Sequence, residues 1–186
     1  MSEVVLQKLQ YGDEDFLFHL MNSDQAIIDA SLKSDYSKWK KMVEWAVKNP
    51  KDLFWKISVN DSGTTELKDA VECGYLGFTG TKGKLSLESI ARNVVDTPEK
   101  KYLVLEIYIL KEYRGRDIGT VAYNQAVEKI QEEFANQEII VFASTYNTNT
   151  KAQRFFIESL GMELSHYYSH ISTVFKKRYP PLKPKE

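Results

Sequence analysis

The sequence predicts an α/β (α+β) domain, and two stretches predict it. Between Leu53 and Thr79, two β-rich runs flank the turn Asn60-Asp61-Ser62-Gly63, the pattern of a hairpin. From Tyr102 to Leu160, strand, helix, strand and helix patterns alternate. That order calls for a right-handed crossover and sets the strands Tyr102 to Leu110 and Glu138 to Ala143 parallel.

Taken in order, Val4 to Leu9 reads as a first strand. Gly12-Asp13 opens a helix in which Phe16, Leu17, Leu20 and Met21 share a face. Ile27, Ile28 and Ser31 suggest a second short helical piece. Asp35 to Lys48 is a clearer helix, with Trp39, Met42, Val43 and Ala46 at helical spacing and Asn49-Pro50 as its stop. The hairpin partners are Leu53 to Val59 and Ala70 to Thr79; two glycines inside the second suggest a bulge or a close backbone approach. Thr81 to Lys101 is ambiguous, a helix stripe closed by Pro98 that could form a lid or a substrate wall. Then come the strand Tyr102 to Leu110, the helix Arg116 to Phe134, the strand Glu138 to Ala143, the helix Asn149 to Leu160, and one or two strands over Met162 to Phe175. One domain is expected over 1–175. The basic, Pro-rich end from 176 to 186 reads as an extended tail, free or laid against a partner in a homodimer.

A chain of 186 residues is long enough to bury its own core without a metal or disulfide. With 42% hydrophobic residues it is not a disordered chain. Its net charge of −1 supplies no global field toward nucleic acid or an anionic membrane. The single Cys73 excludes an internal disulfide, no Cys/His cluster has zinc spacing, and a reducing compartment fits. The first ten residues lack a signal-peptide pattern, and no apolar run approaches a membrane span. A soluble cytoplasmic protein is expected, with no metal.

The strand YLVLEIYIL alternates Leu103, Leu105, Ile107 and Ile109 on one face with Tyr102, Val104, Glu106, Tyr108 and Leu110 on the other. Both faces are apolar enough for a central strand, and Glu106 is the exception. Two readings stay open. A carboxylate in such a place is a candidate general base, or it is an ion-pair partner at a strand end open to water.

Directly after this strand, Lys111 to Thr120 form a loop with Gly115 and Gly119 at the start of a helix. Such a loop presents unpaired N–H groups and the positive end of the helix dipole, an anion site suited to phosphates. Arg114 and Arg116 add charge. Equally, it can be a plain turn. The chain has neither Gly-x-x-x-x-Gly-Lys-Ser/Thr nor Gly-x-Gly-x-x-Gly, so neither a P-loop nor a dinucleotide fold is indicated.

The stretch LEIYILKEYRGRDIGT resembles the pyrophosphate-binding segment of the GCN5-related N-acetyltransferase superfamily, Gln/Arg-x-x-Gly-x-Gly/Ala, with Arg114 first and Gly119 last. NTNTKAQRFFIESLGM is similar to that family's later motif through Asn149, Ala152, Phe155, Phe156, Leu160 and Gly161, with Met162 in the last place. The resemblance implies a mixed, mostly antiparallel sheet flanked by helices, with a splayed parallel strand pair that admits acetyl-CoA or another acyl-CoA. Backbone groups near Ile109 and Leu110 would then hold the pantetheine and acyl carbonyl. The amides of Arg114, Gly115, Arg116, Asp117, Ile118, Gly119 and Thr120 would hold the pyrophosphate, and Asn149 and Phe156 would line the far side. Glu106, directly or through water, would take the proton of an attacking amine.

The sequence departs from the pattern at two places. Asp117 stands where the loop usually has Gly; it can cap the helix through its side chain, or it can repel a diphosphate. Where the family often has an acidic tyrosine, this chain has Phe156 counted forward from Ala152 and Ile157 counted back from Gly161, with one extra residue between the aromatic pair and the glycine. Tyr108, beside Glu106 on the same face, and Tyr168 are the catalytic candidates for the acid; Tyr167 and Tyr168 lie on a later strand that could reach the site, and each also reads as a half-buried strand aromatic. His166 and His170 in a strand would lie roughly 13 Å apart, too far to chelate one metal, and Cys73 reads as core packing.

The expected activity is N-acyl transfer, acetyl from acetyl-CoA to a primary amine of a small molecule or peptide. The alternatives are an acyl-CoA-binding sensor or scaffold without turnover, and an unrelated phosphate-ligand domain.

Overall fold

The computed structural model describes residues 3–23, 36–48, 53–60, 70–80, 96–167 and 172–182. The elements are β1 Glu3–Lys8, α1 Asp13–Asn22, α2 Tyr36–Lys48, β2 Leu53–Asn60, β3 Val71–Gly80, β4 Lys100–Ile109, α3 Ile118–Glu133, β5 Glu138–Tyr146, α4 Thr150–Arg154, β6 Glu163–Tyr167 and β7 Ser172–Tyr179. Seven strands form one mixed sheet in the order β1-β2-β3-β4-β5-β7-β6. β1 and β2 are antiparallel, as are β5 with β7 and β7 with β6. β4 and β5 are parallel, as the crossover requires, with a ladder from Lys100↔Glu138 to Val104↔Phe142. No described helix is long and apolar enough to cross a membrane.

The Ile27–Ser31 piece, Asn49-Pro50, the turn residues Asp61 to Gly63 and most of the 81–101 segment lie outside the described residues.

The chain divides into two compact units, residues 1–77 with 107–126 and residues 78–106 with 127–186. In the first unit the apolar stripes of the two N-terminal helices meet the sheet. Leu17, Leu20 and Met21 of α1 pack with Trp39 and Val43 of α2, Phe54 of β2 and Tyr75 of β3, and Tyr108 and Leu110 of the β4 end pack against this cluster. Polar anchors fix α1. The Asp13 carboxylate accepts from the Gln10 N–H at 2.7 Å and pairs with Lys56 of β2 at 2.6 Å. Lys56 also pairs with Glu72 of β3 at 2.5 Å. Tyr36 at the start of α2 donates to Asp15 at 2.7 Å.

In the second unit Val104, Ile140, Phe142 and Val174 form a buried cluster with Tyr102 against it. Two expectations need correction here. The Asn149–Leu160 stretch is not one α-helix: α4 ends at Arg154, and Phe155–Ser159 is a π turn, with the Leu160 N–H bonded to the Phe155 carbonyl at 3.0 Å. A π turn absorbs one surplus residue without shifting the flanks, and the extra residue before Gly161 is that surplus. Also, β7 runs through Tyr179, four residues into the stretch read as tail. Its basic side chains find partners across the sheet, Lys176 with Glu163 and Arg178 with Glu138.

Candidate active site

β4 changes character halfway. Leu103, Val104 and Leu105 are buried, whereas Glu106 through Leu110 are half-buried. The change follows the last pair of the parallel ladder, Val104↔Phe142, beyond which β4 continues to Ile109. Strand alternation sets Tyr102, Val104, Glu106, Tyr108 and Leu110 on one face. Beyond Lys100 at the start of the strand, Glu106 is thus the charged residue among members of this face that join apolar clusters.

The end of β4 is tied down by neighbours that sequence reasoning did not identify. The Leu110 N–H donates to the Cys73 carbonyl at 2.8 Å, and the Leu110 carbonyl accepts from the Tyr113 N–H at 3.0 Å. The Arg114 Nε donates to the Ile109 carbonyl at 2.8 Å. Gly74 permits this packing: a Cβ there would sit 2.5 Å from the Tyr108 carbonyl oxygen and 2.7 Å from the Ile109 side chain. The close backbone approach expected of the β3 glycines is therefore present. Cys73 itself is buried, a core residue as expected.

A 3-10 turn over Lys111–Tyr113 leads from the strand into the loop. Gly115 and Asp117 both take left-handed backbone, at φ 76° and 56°. Asp117 thus adopts the conformation that favours glycine, and an aspartate tolerates it better than most residues. Its backbone carbonyl accepts from the Val121 N–H at 3.0 Å, closing the first turn of α3. The side-chain capping expected as one alternative for Asp117 is not found among the described residues. The N–H groups of Ile118, Gly119 and Thr120 precede that first intrahelical bond and point out of the helix end. Arg114, Gly115, Arg116 and Asp117 are exposed around them, with the Arg116 guanidinium 5.4 Å from the Tyr113 ring centre.

Asn149 and Phe156 belong to the second unit and have structural tasks there. The Asn149 side chain caps α4, accepting from the Ala152 N–H at 3.1 Å. Phe156 is buried and packs against Phe175 at 5.5 Å between ring centres. Ile157, the other place for the missing tyrosine, is exposed. Tyr168 and His170 lie outside the described residues. His166 is exposed, with Ser165 beside its ring. Among the described residues no group of three or more His, Cys, Asp or Glu side chains is placed to hold a metal.

Solved structures share this architecture. The PaiA N-acetyltransferase of Thermoplasma acidophilum, in complex with coenzyme A, superposes with a TM-score of 0.61 at 16% identity over 95% of this chain and 99% of its own. An acetyltransferase of Thermus thermophilus gives 0.62 at 15% identity over 95% and 97%. The NAA60 protein of Arabidopsis thaliana, in complex with a bisubstrate analogue, gives 0.60 at 13% identity over 95% and 99%. At these identities the likeness shows the fold. No curated protein matches the sequence. Residues 39–162, well over half of the chain and including β4, the loop and the π turn, match the acetyltransferase (GNAT) family, and the chain belongs to that family.

Proposed function

We propose that the chain is an acyl-CoA-dependent N-acyltransferase that moves the acetyl group of acetyl-CoA to a primary amine of a small molecule or peptide. The observation that carries this reading is the start of α3: three N–H groups, Ile118 to Thr120, precede the first helical bond directly behind the strand that bears Glu106. The residues suit a diphosphate carrier. Outward N–H groups, the positive helix end and two exposed arginines make an anion cradle, and the T. acidophilum relative binds coenzyme A. Asp117 is the opposing charge.

An alkyl ammonium with a pKa near ~10.4 must lose its proton before it attacks. Glu106, directly or through one water, takes that proton. The amine nitrogen then bonds to the thioester carbonyl carbon, the C–S bond breaks and the thiolate departs. The Leu110 N–H is engaged by the Cys73 carbonyl, so it is not the oxyanion donor. Tyr108, on the same face as Glu106, offers a phenol to protonate the thiolate. The lone buried Cys73 suits a reducing, cytoplasmic setting.

A second reading, an acyl-CoA-binding sensor without turnover, is favoured by Phe156 and Ile157, neither of which can give a proton. Thiol release from acetyl-CoA over a panel of amines decides between them. Transfer predicts turnover that falls about a hundredfold or more in Glu106→Gln, with coenzyme A affinity kept. Coenzyme A binding with no turnover supports the sensor, and stabilisation by ATP or NAD alone ends both readings.

A further inference from the structure

The loop behind β4 carries an arginine laid on an aromatic ring. The 3-10 turn Lys111–Tyr113 is held by its own backbone: the Tyr113 N–H donates to the Leu110 carbonyl at 3.0 Å and the Arg114 N–H to the Lys111 carbonyl at 3.3 Å. Gly115 then takes left-handed backbone at φ 76°, which turns the chain. Arg116 follows, and its guanidinium carbon lies over the Tyr113 ring, 5.4 Å from the ring centre. That distance is within cation–π range. Tyr113 is half-buried and Arg116 is exposed, so the guanidinium covers the ring and itself borders solvent. Arg116 stands two residues ahead of Ile118, the first of the three N–H groups that open α3. All of these residues belong to the first unit.

We infer that Arg116, laid over Tyr113, is the platform for the base of a nucleotide-bearing acyl donor, so that the site selects acyl-coenzyme A over a phosphopantetheine thioester that lacks the nucleotide. This rests on the acyltransferase reading. A lysine would serve a diphosphate with the same charge. What the arginine adds is a planar, weakly hydrated group on which a base can stack. The ring beneath it presets the position of a long side chain, so binding costs less side-chain freedom. In a nucleotide the base is joined to its phosphates through one ribose. A diphosphate on the α3 amides therefore brings the base to the side chains just ahead of them, where Arg116 waits with a ring behind it. The base adds a layer on the solvent side of the guanidinium. A donor that ends at its phosphate gains nothing there.

Calorimetric titrations with coenzyme A, dephospho-coenzyme A and phosphopantetheine test this in wild type, Arg116→Lys, Tyr113→Phe and Tyr113→Leu. Wild type should bind coenzyme A about tenfold or more tightly than phosphopantetheine. Arg116→Lys keeps the charge and loses the plane, and Tyr113→Leu removes the ring; each should cut that ratio several-fold. The loss should be the same with dephospho-coenzyme A, which retains the base, and Tyr113→Phe should keep the wild-type ratio. The KM for acetyl-CoA should rise by the factor that calorimetry gives. Arg116→Lys decides alone should Tyr113→Leu fail to fold. Melting curves separate a merely structural clasp: a lowered melting temperature with an unchanged ratio overturns the inference. So does a loss in Arg116→Lys that appears with coenzyme A and not with dephospho-coenzyme A, which would set Arg116 on the ribose phosphate. Equal wild-type affinity for coenzyme A and phosphopantetheine overturns it as well. If wild type binds none of the three, the acyltransferase reading itself fails.

Discussion

The Arg114 Nε donates to the Ile109 carbonyl at 2.8 Å, so the first residue of the loop motif is fastened to the end of the strand that precedes it. The four residues of chain between them are closed into one ring. The side chain that would meet a diphosphate therefore also fixes where β4 stops.

Arg114→Ala removes both the fastening and the charge. Coenzyme A binding is expected to weaken about tenfold, the size of one charge-assisted hydrogen bond, with a small loss of stability because Arg114 is exposed. Arg114→Lys separates the two roles. Lysine keeps the charge but lacks the planar fork, so its affinity should fall between the other two. Calorimetric titration with coenzyme A measures all three, and equal affinity of the lysine variant and wild type removes the Ile109 bond from the account.

Asp117 gives a test with opposite sign. Its left-handed backbone costs about 1 kcal/mol that glycine would not incur, and its carboxylate stands at the loop where a diphosphate would bind. Asp117→Gly should raise the melting temperature by a few degrees and tighten coenzyme A binding. Asp117→Asn keeps a residue tolerant of this backbone while removing the charge, so it should tighten binding with little change in melting temperature. If neither variant binds more tightly, the carboxylate does not face the cofactor.

What the sequence made legible was local. Alternation along YLVLEIYIL, the glycines of the loop and the stripe of Ile118, Ala122, Ala126 and Ile130 each depend on neighbours in the chain, and β4, the loop and α3 fall within two residues of their expected bounds. The surplus residue before Gly161 was countable, but its form was not: a π turn depends on Phe156 staying in contact with Phe175 of β7. The stacked rings of Phe54, Tyr75 and Tyr108 are not legible in the sequence because cross-strand register among three separate strands creates them. The glycines of β3 signalled a close approach without naming Tyr108 as the group approached. The basic residues Lys176 and Arg178 read as tail because their acidic partners, Glu163 and Glu138, are distant in sequence.

Alkaline pH should loosen the α1 corner. Burial alone would lower the Lys56 ammonium, but hydrogen bonds and charge from Asp13 and Glu72 outweigh it and hold it above the ordinary lysine value. The Tyr36 phenol is pushed up to about 12, chiefly by its hydrogen bond to Asp15, with desolvation and the charges of Asp15 and Glu14 adding. Both groups are protonated in the folded state at a pH where the unfolded chain has begun to release those protons. Their contribution is complete below about pH 10 and is lost as pH rises through the folded values. Urea midpoints measured from pH 8 to 12 should therefore decline above pH 10. The decline should be shallower in Tyr36→Phe, and a wild-type slope equal to that of the variant would remove Tyr36 from the account.

The π turn makes a prediction about chain length. If Phe155–Ser159 absorbs one surplus residue, removing that residue should leave an ordinary α-helical turn with both flanks in place. Ile157 is the residue to delete, since it is exposed and its neighbour Phe156 holds the core contact. The deletion replaces the wide bond from Leu160 to Phe155 with regular bonds and removes an exposed apolar side chain. The shortened protein should fold with a melting temperature within a few degrees of the parent, whereas deleting an α-helical residue such as Ala126, buried in the middle of α3, rotates every later side chain by about 100° and should abolish folding. Circular dichroism melts of the two deletions compare them directly. Equal damage from both would show that the five residues are held wide by their contacts rather than by a surplus in the chain.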